Sequence, residues 1–162
     1  MASFSAGFRQ ALMLTGTVLM SGLVLARTAH AESGKSLYES ICGSCHKNGG
    51  AGVVGKFPPL KDRVAEIAGT ADGRTWLTHV VMNGLTGTIT AGGESYAGYM
   101  PSFRALPDDQ LASILTYVAS LSSSSQTVTF TADEVKAARG QTVTAPDLIA
   151  ERNRLAAVHS MP

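Results

Sequence analysis

The chain has 162 residues, 13 basic and 12 acidic side chains, a formal charge of +1 and 44% hydrophobic residues. That length has room for one compact domain plus a small appendage and excludes two full domains, which commonly need roughly 100–150 residues each. A charge this close to zero excludes nucleic acid as an expected partner.

Residues 1–31 read differently from the rest. They carry no acidic side chain, and Arg9 stands in a short polar start before the apolar run Ala11 to Leu25. Ala29-His30-Ala31 has the small-x-small spacing of a cleavage site, so residues 1–31 are expected to be a signal peptide that exports the chain to the periplasm. The competing reading is an uncleaved anchor, because the run approaches the roughly 18–20 residues that span hydrocarbon. Only in that case is a membrane a partner. Cleavage removes Arg9 and Arg27, leaving 11 basic against 12 acidic side chains and a formal charge of −1.

Ser33 is suited to cap a helix from Gly34 to Cys42, with Leu37 and Ile41 four apart and Tyr38 beside them. The helix leads into Cys42-Gly43-Ser44-Cys45-His46, which contains both cysteines of the chain. This is the C-x-x-C-H pattern of covalent haem attachment. Two thiols add across the two vinyl groups, and the adjacent histidine presents an imidazole nitrogen to the iron. Other uses of the pair fit less well. A thioredoxin-like redox motif runs out into a helix, whereas a glycine-rich loop, Asn48 to Gly55, follows here. A zinc site needs more cysteines than the chain has, and a disulfide across so short a loop is strained. A chance occurrence of the pattern is the remaining competitor.

Phe57-Pro58-Pro59-Leu60 comes next. Two prolines remove donors and leave carbonyls free, and one of these is expected to accept from the second ring nitrogen of His46. Trp76, Leu77, Val80 and Val81 suit one helix face, with Met82 a gap filler in the core. Thr88-Ile89-Thr90 and Glu94-Ser95-Tyr96, on either side of Ala91-Gly92-Gly93, predict a small hairpin with short strands.

The candidates for a second axial ligand are His79, Met82, Met100, His159 and Met161. Met100 is the best placed: it lies in the loop Tyr96-Ala97-Gly98-Tyr99-Met100-Pro101-Ser102-Phe103, and Pro101 biases it towards extended geometry. Tyr96, Tyr99 and Phe103 add apolar bulk beside a porphyrin. His79 is the rival, giving a bis-histidine iron of lower potential, although a lone histidine at helical spacing is more often a surface or packing residue. His159 and Met161 sit where the chain end frays.

Pro107 to Leu121 is the clearest helix. Asp108 and Asp109 suit its first turn, and Leu111, Ile114, Leu115, Val118 and Leu121 form an apolar stripe expected to pack on the first helix. Ser122 to Ser125 reads as a spacer that ends a haem domain of residues 32–125. In the tail, 126–162, Thr131 with Glu134 fits a capping box before a helix stopped by Gly140, and Pro146 starts another running towards Val158. Both are expected outside the haem core, as an arm packed on its own domain or as a docking arm for a partner.

Over residues 33 to 121 the chain resembles the class I c-type cytochromes, on the haem motif, Pro58-Pro59-Leu60, the Met100-Pro101 loop and the helix after it. Trp76-Leu77, Asn83-Gly84-Leu85, Ile89-Thr90, Tyr96-x-Gly98-x-Met100-Pro101 and the stretch from Phe130 to Arg139 are similar to one subgroup. Its members are cytochrome subunits of periplasmic dehydrogenases or cytochrome domains fused to copper nitrite reductases. The resemblance implies an all-α class I cytochrome c fold with a small hairpin in the Met-ligand region and one covalent haem c. It implies axial ligation by His46 and Met100, Pro58 or Pro59 as the carbonyl partner of His46, and Trp76 near a haem propionate. Cofactor contacts are thus expected from Cys42, Cys45, His46, Pro58, Pro59, Trp76, Tyr96, Met100 and Phe103. Pro107 or Leu106 departs from the Ser, Thr or Asp cap expected before the last helix.

The function so implied is single-electron transfer between periplasmic redox proteins, for example a dehydrogenase and a terminal oxidase or another cytochrome. The chain would be a carrier or a subunit with no catalysis of its own. The alternative is a sensor or enzyme in which Met100 leaves the iron to a small ligand. No distal histidine and arginine pair supports peroxide chemistry, Arg104 being the nearby guanidinium.

Overall fold

A computed structural model describes Met1 and residues 33–125, 127–159 and 161–162. The expected signal segment beyond Met1 lies outside the described residues. The elements run α1 (Gly34–Ile41), α2 (Gly43–His46), a 3-10 turn (Asn48–Gly50), α3 (Arg63–Ile67), α4 (Ala71–Asn83), β1 (Leu85–Ala91), β2 (Glu94–Met100), α5 (Asp108–Ala119), α6 (Ala132–Arg139) and α7 (Ala145–Val158). Among the described residues, no helix is long and apolar enough to cross a membrane.

Ser33 caps α1 by accepting from the Ser36 amide at 3.2 Å, and Leu37 and Tyr38 turn inward. The helix crosses α5 at its first residue: a Cβ on Gly34 would stand 2.0 Å from the Ser113 carbonyl oxygen, so only glycine permits this approach. One turn further on, the Tyr38 and Tyr117 rings meet with centroids 5.3 Å apart. The expected packing of the first helix on the long one is therefore what the structure shows. Pro107 occupies the N-cap of α5 without a side-chain cap, while Asp108 and Asp109 stand in its first turn. There they face the positive end of the helix dipole.

The hairpin is longer than predicted. β1 and β2 pair antiparallel from Leu85 opposite Met100 to Ala91 opposite Glu94, around a two-residue Gly92-Gly93 turn. Both turn glycines have positive φ, 59° and 82°, the condition for a tight turn whose twist matches that of the strands.

The tail differs from expectation. Val135, Ala138, Leu148 and Leu155 are buried in the same apolar cluster as Trp76, Val80, Leu111 and Leu115. Thr131 and Glu134 form the capping box of α6, and Thr144 and Asp147 form a second one for α7. Arg74 reaches from α4 to the Glu134 carboxylate at 2.7 Å and lies over the Phe130 ring, 4.4 Å from its centroid. Arg139 does the same for α5, pairing with Asp108 at 2.6 Å and donating to the Arg104 and Leu106 carbonyls. The two helices are not outside the core. They are part of it, since Val135, Ala138, Leu148 and Leu155 share one cluster with Trp76, Leu77 and Val80 of α4.

Leu148, fully buried, tests this. Leu148→Ala should lower the unfolding free energy of the whole protein by about 2–5 kcal/mol, read by denaturant titration of the haem absorbance and of far-UV circular dichroism together. An independent arm would leave the haem transition where it was.

Candidate functional site

Cys42 closes α1, and the single turn of α2 carries Cys45 and His46. The turn cannot continue, because Lys47 has a φ of 64°. The chain then loops back: the Gly52 amide bonds the His46 carbonyl at 2.8 Å and the Leu60 amide bonds the Gly50 carbonyl at 2.8 Å. This loop delivers Pro58, whose carbonyl oxygen lies 3.0 Å from His46 Nδ1. With Nδ1 donating there, the tautomer is fixed and Nε2 carries the lone pair that can bind a metal. His46 is 8% exposed, and burial lowers its pKa against the opposing pull of the Pro58 carbonyl. The neutral ring, which is the ligating form, is thereby favoured. The two sulfurs are not joined to each other, and burial, helped by the neighbouring Cys45, pushes the Cys42 thiol up to about 11.

A cavity of about 410 Å³ opens between this motif and the hairpin. Its near wall is Ile41, Cys42, Cys45, His46 and Pro58, and its far wall is the hairpin, including all of Tyr96 to Met100, followed by Pro101 and Phe103. The directly paired residues Leu85 and Met100, Gly87 and Gly98, and Ile89 and Tyr96 all line it. Opposed residues in an antiparallel pair share a face, so these three pairs present a common apolar surface to the cavity.

Met100 is held in place from three sides. It pairs with Leu85, the Ser102 hydroxyl donates to the Met82 carbonyl, and the Phe103 amide donates to the Val81 carbonyl at 3.0 Å. Gly84 sits between α4 and β1 with φ 77° and ψ 178°, and a Cβ there would stand 2.5 Å from the Met100 carbonyl oxygen.

Seven of the nine residues expected at the cofactor line this one cavity: Cys42, Cys45, His46, Pro58, Tyr96, Met100 and Phe103. Pro59 does not line it, and its carbonyl instead accepts from Arg63 Nη1 at 2.8 Å. Trp76 does not line it either, and its indole N–H donates to the Leu148 carbonyl at 3.0 Å within the core. Of the other ligand candidates, Met82 is fully buried, and His79 is buried with its Nδ1 3.6 Å from Glu151. Neither lines the cavity, nor do His159 and Met161. The sequence reading missed Leu85, Ile89 and Lys56 as wall residues. Alternation along β1 was the available signal for the first two, and the glycines in that segment obscured it.

Two thiols, one neutral imidazole and one thioether around an apolar slot form the donor set of a covalently held haem. The sequence profile of the family described as "Cytochrome C oxidase, cbb3-type, subunit III" matches residues 29–118. The chain belongs to the c-type cytochromes. A cytochrome c-552 of Thermus thermophilus is 37% identical over 146 residues, 88% of this chain and 95% of the relative. A second cytochrome c-552 of Thermus thermophilus is 39% identical over 118 residues, 70% of this chain and 90% of the relative. The cytochrome c subunit of a 4-cresol dehydrogenase (hydroxylating) from Pseudomonas putida is 31% identical over 125 residues, 73% of this chain and 90% of that subunit. This c-type cytochrome is an electron-transfer protein with no catalysis of its own, and haem c is the cofactor of its family.

Gly84 gives a test of how the Met100 wall is held. Gly84→Ala forces a side chain into a backbone region that is nearly glycine-only, at a cost of about 1–3 kcal/mol, and a thermal melt should show the loss. Gly140→Ala, whose φ is −69° and whose added carbon meets only the Ala137 carbonyl oxygen at 3.4 Å, should not lower the melt.

Proposed function

We propose that this cytochrome is an exported carrier of single electrons, with one haem c bonded through Cys42 and Cys45 and ligated by His46 and Met100. The observation that carries this reading is the cavity that has the C-x-x-C-H turn on one wall and Met100 on the other. When bound, the haem supplies an iron couple that exchanges one electron. The protein's part is to hold the two axial groups and exclude water. Pro58 fixes the His46 ring by accepting from Nδ1, and the Leu85–Met100 pairing fixes the thioether. Thioether ligation in an apolar pocket favours the reduced state relative to bis-imidazole ligation. With both axial positions filled by the chain, small ligands gain no open site, and the kinship with electron carriers favours this reading over a sensor.

Export is supported by the signal-like residues 1–31 and by the cytochrome kinship. The partners are redox proteins. One relative is the cytochrome c subunit of a dehydrogenase, which supports a periplasmic dehydrogenase as the electron donor. Redox encounters of this kind typically bury less than about 1,200 Å², and Tyr99, which lines the cavity, and Val54, next to the lining residue Gly55, expose apolar side chains to such an encounter.

The exported protein should carry the added mass of one haem, and its ferric spectrum should show the weak long-wavelength band of sulfur on iron. Met100→Ala should abolish that band and lower the potential. Persistence of the band, or a mature chain without added haem mass, would overturn the assignment.

A further inference from the structure

His79 is a buried ionisable side chain that the haem site does not use. It lies in α4, is 2% exposed and does not line the cavity. Neither of its ring nitrogens has a hydrogen-bond partner. From α7, Glu151 brings Oε2 to 3.6 Å from Nδ1, with the Glu151 side chain 20% exposed. At that distance opposite charges attract, but no hydrogen bond is made.

Most other charged groups on the elements around α4 are engaged elsewhere. In α3, Arg63 is held by the Pro59 and Pro162 carbonyls, and in α5, Asp108 pairs with Arg139 of α6. Glu134 of α6 pairs with Arg74, while on α7 itself Asp147 is held by Thr144 and Arg152 by the Thr90 carbonyl. Glu66, Asp109 and Asp133 do not come within ion-pair distance of His79, and Lys136 and Arg154 are exposed. Among the described residues, Glu151 is the one carboxylate that reaches the ring.

Histidine is the side chain whose charge changes between pH 5 and 8. A neutral imidazole has one nitrogen that donates and one that only accepts; a protonated imidazole donates from both and carries a charge. Its bond to a carboxylate is then charge-assisted, shorter and roughly twice as strong as a neutral one. Burial penalises the cation, but it also puts Nδ1 out of reach of bulk water, so the pull of Glu151 is screened less than at the surface. The other two ion pairs that fasten the tail, Arg74 with Glu134 and Arg139 with Asp108, use arginine, which keeps its charge. The position of His79 gives the pair its reach: it stands just before Val81 and Met82, whose carbonyls accept from the Phe103 amide and the Ser102 hydroxyl and so hold the loop after Met100.

We propose that His79 and Glu151 form a proton-operated latch between α4 and α7, in which a proton taken up by the imidazole draws the carboxylate onto Nδ1 and tightens the tail against the core. The direction follows from linkage. A ring that binds its proton more tightly with α7 docked stabilises the docked state at low pH, and that contribution is lost as pH rises through the titration of the ring.

The test uses the full-length holoprotein. Hydrogen-exchange protection factors of the α7 amides, corrected for the intrinsic pH dependence of exchange, should be about fivefold higher at pH 6 than at pH 8, the measure of an ion pair worth about 1 kcal/mol. In Glu151→Gln, which changes a partly exposed side chain and keeps its shape, that difference should vanish, and the NMR titration of the His79 ring should move to lower pH. The ring titration reads the pair directly and needs no opening of the helix. Equal protection at the two pH values, a difference that survives in Glu151→Gln, or an unmoved ring titration in that variant would each overturn the latch.

Discussion

The whole molecule turns on keeping two short segments, far apart in the chain, at a fixed separation across one apolar slot. His46 and Met100 are each embedded in backbone that could not hold them alone: one in a single helical turn, the other at the end of an exposed two-stranded sheet. Each is secured by a carbonyl or amide from elsewhere. Pro58 steadies the ring of His46, and the end of α4 steadies the loop after Met100 through Val81 and Met82. Because α4 itself is set by its packing against α6 and α7, the slot inherits its dimensions from the core behind it.

That dependence explains why a helix that buries few of its side chains folds against the domain. α7 buries only Leu148, Arg152 and Leu155, and its own hydrophobic area is small. It gains from what it covers. The Trp76 indole would otherwise expose a large apolar surface and an unpaired N–H, and a buried polar group left unmade costs about 1–3 kcal/mol. One backbone carbonyl of α7 satisfies it.

Legibility in the sequence follows the range of the interaction. The haem motif, the capping box at Thr131, the Gly92-Gly93 turn and the apolar stripe of α5 are local, and the residues that make each lie within a few positions of one another. Met100 is legible because Pro101 and the surrounding aromatics mark a loop. The choice between Pro58 and Pro59 is not, since adjacent carbonyls differ only in the direction the folded loop gives them. Resemblance alone assigns Trp76 to the cofactor, and its partner lies 72 positions away, where no periodicity reaches. The apolar positions of the tail are visible in the sequence, but nothing local to them shows that they pack on α4.

A haem site has more than one way to set its potential, and the ways differ in what else they disturb. Exchanging an axial ligand changes the potential strongly but also changes ligand affinity and the strength of the iron bond. α7 contributes neither cysteine and none of the residues that line the cavity, so it bears on the slot through its packing against α4 and leaves the donor set untouched.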